Sequence, residues 1–181
     1  GYHSLTTWEK NAAGDLVGRH AVEPDGRILV AGETSDAGMP TTAGAYQAAT
    51  TGGSEMWFAR LDRTQTGVAQ LVWATYLGGG GEDTFSAIFI SPALPGLVSF
   101  HGETNGAATL THDFLTGSIS DHDWVVGQLD PAQSGAAQRR FVHIVGDGYQ
   151  AGGIAVAANG EVLAAGTTHS DPSFSRVIRF S

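Results

Sequence analysis

Short apolar runs separated by turn residues recur along this chain with a long period. The run Val-Ala-Gly-Glu-Thr-Ser, which contains Gly32, returns as Phe-His-Gly-Glu-Thr-Asn around Gly102 and as Ala-Gly-Thr-Thr around Gly166. These three glycines are 70 and 64 residues apart. Alternating apolar and polar positions over a few residues indicate strands, and a long internal repeat indicates repeated supersecondary units.

The repeat predicts an all-β fold made of four-stranded antiparallel units. The first unit covers 15–82, with strands at 16–22, 27–34, 55–61 and 69–77. The second covers 83–149, with strands at 85–90, 96–104, 123–129 and 138–145. The third covers 150–181 and holds only three strands, at 153–158, 161–168 and 175–180. Residues 3–8 have the pattern of a fourth strand, so the two ends of the chain are predicted to complement each other.

Two long polar loops, 35–54 and 105–122, connect the second and third strands of the first two units. Long ordered loops frequently carry binding function. We therefore expect binding residues there, namely Tyr46, His112, Asp113, Phe114, Asp121, His122 and Asp123. If the loop at 105–122 closes on itself, its histidines and carboxylates would come together as metal ligands. A polar loop exposed to solvent is the commoner arrangement.

A run of four glycines precedes two acidic residues, Glu82 and Asp83, and Asp147 falls at nearly the same place one unit later. Carboxylate oxygens suit calcium, so these three residues are candidate ligands. The spacing is not that of an EF-hand, and glycine-rich turns that need positive φ are the simpler explanation. Apart from calcium, the sequence predicts no cofactor.

Glu33 and Glu103 occupy equivalent positions after the second strand, and an enzyme would use them together with His20 and His101 near a central channel. Two convergent carboxylates would permit glycoside hydrolysis. Equivalent residues of successive units more often make the same local contact twice. The chain has no nucleophile elbow, phosphate loop or dinucleotide fingerprint. A non-catalytic binding module is therefore favoured, with a hydrolase or lyase acting on sugars, or a structural subunit of an assembly, as alternatives.

Composition narrows the partners. The 181 residues are 41% hydrophobic, enough for one sizeable core, so a single domain is expected. Eighteen acidic against nine basic residues give a formal charge of −9, which disfavours nucleic acid and anionic membranes. The chain has no cysteine, no stretch long enough to span a membrane, and no secretory signal within residues 1–20.

The first unit resembles the bacterial SBBP-type β-propeller repeat. Four segments match in order within residues 16–83, namely Val-Ala-Gly-Glu-Thr-Ser, Pro-Thr-Thr-Ala-Gly-Ala-Tyr-Gln, Phe-Ala-Arg-Leu-Asp and Thr-Tyr-Leu-Gly-Gly. The second unit keeps Gly-Glu-Thr and Leu-Asp, and the third keeps little beyond Gly-Thr-Thr. The resemblance implies propeller blades of an extracellular, cell-surface or periplasmic bacterial protein, and it brings no catalytic residues with it.

About three blades are too few for a closed propeller, which typically has 4–8. Either the chain is a section of a longer polypeptide, or copies associate so that a dimer completes six blades. We therefore expect a scaffold or binding module for protein or glycan contacts, with further blades from the same or another chain among its partners.

Overall fold

A computed structural model describes residues 17–91, 94–106, 109–119, 122–146, 149–168 and 175–180. The first sheet contains four antiparallel strands in sequence order, β1 (Val17–Val22), β2 (Ile28–Thr34), β3 (Glu55–Leu61) and β4 (Leu71–Leu77). A 3-10 turn, Gly67–Gln70, leads into β4. The predicted strand at 3–8 lies outside the described residues.

The second sheet has the order β5-β6-β8-β9-β7 and the third the order β10-β11-β12. Their strands are β5 (Asp83–Phe89), β6 (Val98–Thr104), β7 (Phe114–Thr116), β8 (Asp123–Leu129), β9 (Arg139–Val145), β10 (Tyr149–Val156), β11 (Val162–Thr168) and β12 (Ser175–Phe180). A second 3-10 turn, Gly135–Gln138, precedes β9. The all-β prediction is confirmed, and no sheet closes on itself within the described residues.

The three repeat glycines, Gly32, Gly102 and Gly166, lie at the same place in their sheets. Each is on the second strand, and each pairs with a residue near the start of the next strand in the sheet. A side chain at Gly102 would overlap the carbonyl oxygen of Thr84, because β5 bulges toward it. Glycine at this position therefore permits the close approach of two strands.

The core lies between successive sheets, because both faces of the second sheet are covered. On one face the first and second sheets share a cluster in which the Phe58 and Phe100 rings are 5.0 Å apart. On the other face Trp124 packs in a cluster with residues of the third sheet, among them Val162 and Phe180. Alternate residues of one strand thus face opposite neighbours, which explains why β8 is buried along its whole length.

Two parts of the sequence prediction were wrong in detail. The loop at 105–122 contains β7, which pairs in parallel with β9 so that Phe114 lies opposite His143. Three residues are too few to show an alternating pattern. β10 begins at Tyr149, before the predicted strand at 153–158, because a bulge between Ala151 and Gly153 interrupts its alternation.

Candidate functional site

Both long loops run along the last long strand of their own sheet, β4 in the first sheet and β9 in the second. In the first loop, the Thr42 N–H donates to the Ala74 carbonyl at 3.1 Å, and the Thr42 hydroxyl accepts the Ala74 N–H at 3.0 Å. In the second loop, the Asp113 N–H donates to the Val142 carbonyl at 2.8 Å, and Asp113 Oδ2 accepts the Val142 N–H at 2.7 Å.

Ala74 and Val142 are 68 residues apart and occupy the same position in β4 and β9. Thr42 and Asp113 are therefore equivalent, although they differ chemically. Both satisfy backbone groups on an outer strand that would otherwise be open to pairing with another chain. The loops that sequence analysis assigned to binding thus also protect the sheet edges.

Tyr46 is half-buried and packs against the core between the first two sheets. The same loop also covers the outer face of the first sheet, where Pro40 accepts a hydrogen bond from the Trp57 indole at 3.0 Å. The next residue after Tyr46, Gln47, accepts the Tyr76 N–H at 3.0 Å. Tyr46 therefore contributes to packing and presents only part of its side chain to solvent.

The candidates of the second loop lie on two sides of β9. Asp113 forms an ion pair with Arg139 at 3.2 Å, and His112 Nδ1 lies 2.8 Å from the Leu110 carbonyl oxygen. Asp123 is buried at the start of β8, and His122 before it is exposed. Asp121 lies outside the described residues. Among the described residues, no three His, Cys, Asp or Glu side chains come together as a metal site requires.

Phe114 is the candidate that the structure leaves most open. Its side chain is 56% exposed, and its ring centroid lies 5.5 Å from that of His143 on β9. Ile119, which sequence analysis did not single out, is 47% exposed on the same loop. The paired backbone of β7 holds the Phe114 ring at the outer edge of the second sheet, and Ile119 lies three residues beyond the end of this strand.

We expect Asp113→Ala to lower the free energy of unfolding by about 1–2 kcal/mol, because the Val142 N–H loses its acceptor and Arg139 loses its partner. Phe114→Ser, on the exposed side of the same segment, should change stability by less than about 0.5 kcal/mol. Urea unfolding of the two variants measures the difference. Equal stabilities would contradict the assigned role of Asp113 as an edge cap.

The calcium candidates adjoin a tightly packed turn. Asp83 is completely buried, and its Oδ2 accepts the Gly79 N–H at 2.7 Å. Glu82 is exposed, and its own N–H donates to Asn105 Oδ1 at 2.6 Å. Asp147 lies outside the described residues. Burial raises the pKa of Asp83 to about 6, with a further contribution from the negative charge of Glu55, while bonds from Thr104 and Gly79 oppose the rise.

Glu55 is a second buried carboxylate near Asp83 that sequence analysis missed. Its Oε1 accepts hydrogen bonds from the N–H and the hydroxyl of Thr51, and its Oε2 accepts the Gln47 side-chain amide at 2.5 Å. A side chain at Gly78 would lie 2.6 Å from both Asp83 Oδ2 and Glu55 Cγ. These groups therefore fasten the first loop to the glycine run, and calcium binding stays a prediction.

His101 is 2% exposed on β6. Its ring centroid lies 6.4 Å from that of Trp124 in an edge-to-face arrangement. Burial lowers the pKa of His101 to about 4. The side chain is therefore neutral at physiological pH and is a packed component of the second sheet.

The four residues suggested for glycoside hydrolysis do not form one site. Glu33 Oε2 accepts the Phe85 N–H at 3.3 Å between the first and second sheets. His101 lies on the opposite face of the second sheet, and Glu103 follows it two residues later on the same strand. His20 is exposed on β1. Acid and base roles in glycoside hydrolysis require two carboxylates about 5–10 Å apart across one substrate. The second sheet separates Glu33 from Glu103, so the structure gives no support to these roles.

A cavity of about 340 Å³ lies between the first two sheets, near the turns that end their strands. Its wall includes Arg60, whose guanidinium pairs with Glu23 through Nε–Oε2 at 2.6 Å and Nη2–Oε1 at 2.7 Å. Arg60 also donates to the Gly96 carbonyl at 2.9 Å and lies 5.9 Å from the Trp73 ring. The remaining lining residues are Arg27, Val72, Pro95, Asp130, Pro131 and Ala132.

This buried ion pair was not found from the sequence, because Glu23 and Arg60 are 37 residues apart and no motif joins them. The pair links the turn after β1 to β3, and through Gly96 it reaches the second sheet. The Nε and Nη2 groups of Arg60 are thus engaged, and the other charged groups among the described lining residues are the exposed Arg27 and the partly exposed Asp130. We assign the Arg60 side chain a structural role.

No protein-family profile and no curated protein matches this chain. In the described part of the chain, no helix is long and apolar enough to cross a membrane. The function is therefore argued from the geometry of the chain itself.

Proposed function

We propose that this chain is a non-catalytic module of the SBBP β-propeller type, exported by or displayed on a bacterial cell, that binds a protein or a glycan. The order of its sheets supports the propeller architecture. Each sheet packs one face on the next, and equivalent glycines occupy equivalent registers. Such repetition provides a rigid frame on which loops can vary.

The observation that carries the binding role is the exposed apolar pair on the second loop, which we call the edge patch and define as Phe114 and Ile119. Phe114 lies on a backbone that strand pairing fixes, so its binding to a partner loses little conformational entropy. An aromatic ring beside an imidazole suits either a sugar face or an apolar side chain of a protein. The candidate acids and bases, by contrast, are buried, paired or far apart.

The experiment keeps the backbone of the loop, because replacing the whole of 105–122 would remove β7. We expect the wild type to bind on printed arrays of bacterial-surface glycans or of secreted proteins. Phe114→Ser combined with Ile119→Ser should weaken that binding at least about 10-fold, since anchor residues of this kind dominate interface energy. Circular dichroism should show an unchanged fold.

Val72→Ser is the matched control, because Val72 is 41% exposed but lies at the cavity between the sheets. Its binding should equal that of the wild type. Binding lost in the control and kept in the double variant would move the site to the cavity. No binding on either array would overturn the proposed function.

A further inference from the structure

The two 3-10 turns among the described residues are built alike. In the first sheet the Asp62 N–H donates to the Gln70 carbonyl at 2.8 Å, and in the second sheet the Asp130 N–H donates to the Gln138 carbonyl at 2.6 Å. Each glutamine ends a four-residue turn, Gly67–Gln70 or Gly135–Gln138. The two turns are therefore equivalent, so a difference in the exposure of their side chains reflects what packs against each turn.

In the second sheet, residues of the first sheet cover the glutamine that ends this turn. Gln138 is 2% exposed, its amide donates to the Gly44 carbonyl at 2.6 Å, and its Oε1 accepts the Trp73 indole N–H at 3.1 Å. The Gly135 N–H also donates to the Gly44 carbonyl, at 2.8 Å. A loop and an outer strand of one sheet thus bury Gln138 of the next, while Ala136 and Ala137 of the turn stay exposed.

In the first sheet the same turn is open. Gln70 is exposed, and Val68 within the turn is 95% exposed. Val22, which is 68% exposed, shares this face with its register partner Ile28 and with Leu61, and those two are only half-buried. We call these five residues the leading face.

At three of the equivalent positions of the second sheet the side chains are covered, whereas Ala136, the equivalent of Val68, is exposed and Ile90, the equivalent of Val22, is half-buried. Val98 and Leu129, which correspond to Ile28 and Leu61, are both 0% exposed. Their cover is the core cluster shared with the first sheet. Ile28, Leu61 and Gln70 of the leading face are therefore copies of positions that form an interface in the second sheet, and among the described residues no further sheet covers them in the first.

The third sheet shows the complementary difference on its far side. Leu163 is 40% exposed and Val177 is 71% exposed, and their strands pair so that both point the same way. The corresponding residues of the first sheet, Leu29 and Phe58, are 0% exposed because the second sheet covers them. We call Leu163 and Val177 the trailing face.

We propose that the chain self-associates head-to-tail, with the trailing face of one copy packed on the leading face of a second copy. Both contacts between sheets within the chain already use this pairing of faces, so the new contact continues an established interface. Exposed apolar side chains on an otherwise paired sheet face mark an interaction surface. Because each copy has one face of each kind, two copies related by a two-fold axis make two such contacts.

This inference goes beyond the proposed binding role, since it uses neither residue of the edge patch. Size-exclusion chromatography with light scattering measures the molar mass. For the wild-type chain at about 100 µM we expect twice the monomer mass of 18.7 kDa. Val177→Asp and Val22→Asp should each give 18.7 kDa, because each places a charge in one of the two faces. Ile119→Asp is the control, since Ile119 is also an exposed apolar residue, at 47%, but lies on neither face, and the variant should remain dimeric.

Mixing the two monomeric variants tests the head-to-tail geometry. The Val177→Asp chain keeps its leading face and the Val22→Asp chain keeps its trailing face, so the mixture should regain a two-copy species. Continued self-association of Val22→Asp alone would instead indicate pairing between two third sheets and would overturn the proposal. A monomeric wild type, a mixture that stays monomeric, or dissociation of the Ile119→Asp control would also overturn it.

Discussion

Glu23→Gln is expected to lower the free energy of unfolding by about 3–5 kcal/mol, because it leaves the buried Arg60 guanidinium without a counter-charge. The two side chains are 8% and 4% exposed, and their charged atoms approach to 2.6 Å. Water can therefore replace little of the lost interaction. Arg60 cannot rotate outward without breaking its hydrogen bond to Gly96.

Urea unfolding monitored by tryptophan fluorescence measures this loss. Asp25→Asn is the matched control, because it breaks the ion pair between Asp25 and Arg27 in the same turn. The side chains of this pair are exposed, Arg27 to 44% and Asp25 to 55%. That pair should contribute less than about 1 kcal/mol. If Glu23→Gln does not fold, Glu23→Leu combined with Arg60→Met should, because an apolar pair of similar volume removes both buried charges. A Glu23→Gln protein within about 1 kcal/mol of the wild type would refute the role of the pair.

Much of the fold could be predicted because its signals are local. The strand at Glu55–Leu61 and its repeat at Asp123–Leu129 have the predicted bounds, since polar turn residues flank both apolar runs. The turn between β1 and β2 follows from Pro-Asp-Gly, in which Gly26 has a φ of 85° that favours glycine. Such features need no knowledge of distant contacts.

The roles of the loops could not be predicted, because equivalent residues there differ in chemistry. Thr42 offers a hydroxyl oxygen and Asp113 a carboxylate oxygen, yet each accepts one N–H from the outer strand of its sheet. A comparison of the two sequences shows different residue types at this position, whereas the structure shows that both side chains accept the same hydrogen bond. A parallel strand as short as β7 also leaves no periodic pattern.

The described residues of the candidate metal and acid sites do not converge, for a related reason. Asp113 and Asp123 are close in the sequence, but β9 lies between β7 and β8 and separates them. Glu33 and Glu103 are at equivalent positions of successive repeats. They therefore lie in different spaces between sheets, Glu33 on one side of the second sheet and Glu103 on the other. In a repeat of this kind, recurrence of a residue therefore places its copies on different sheets and does not indicate convergence on one site.

We expect the stability of the wild type to change only slightly between about pH 4 and 6.5, because two buried groups act there in opposite directions. Burial raises the pKa of Asp83 from 3.8 to about 6. Between these values the folded protein binds the proton more tightly than the unfolded chain, so Asp83 makes stability fall as pH rises. The full effect is about 3 kcal/mol.

His101 has the opposite sign. Burial lowers its pKa from 6.5 to about 4, so in this window the unfolded chain binds the proton more tightly. Stability is then fully present above pH 6.5 and falls by about 3 kcal/mol as pH drops toward 4. Burial also lowers the pKa of His143, which adds a contribution in the same direction as His101.

Each single variant should therefore reveal the slope of the other group. Asp83→Asn keeps an acceptor for the Gly79 N–H, removes the buried charge, and should stabilise the protein at pH 7.5 by up to about 3 kcal/mol. Its stability should then rise steeply from pH 4 to 6.5, as His101 alone dictates.

His101→Phe is the reciprocal variant, because it keeps an aromatic ring against Trp124 without a titratable group. Its stability should fall as pH rises from about 4 to 6, and the double variant should be nearly flat apart from the His143 contribution. Urea unfolding at half-unit pH intervals gives all four profiles. If Asp83→Asn and the wild type have parallel profiles, the Asp83 carboxyl does not titrate in this range, and its burial does not act as argued.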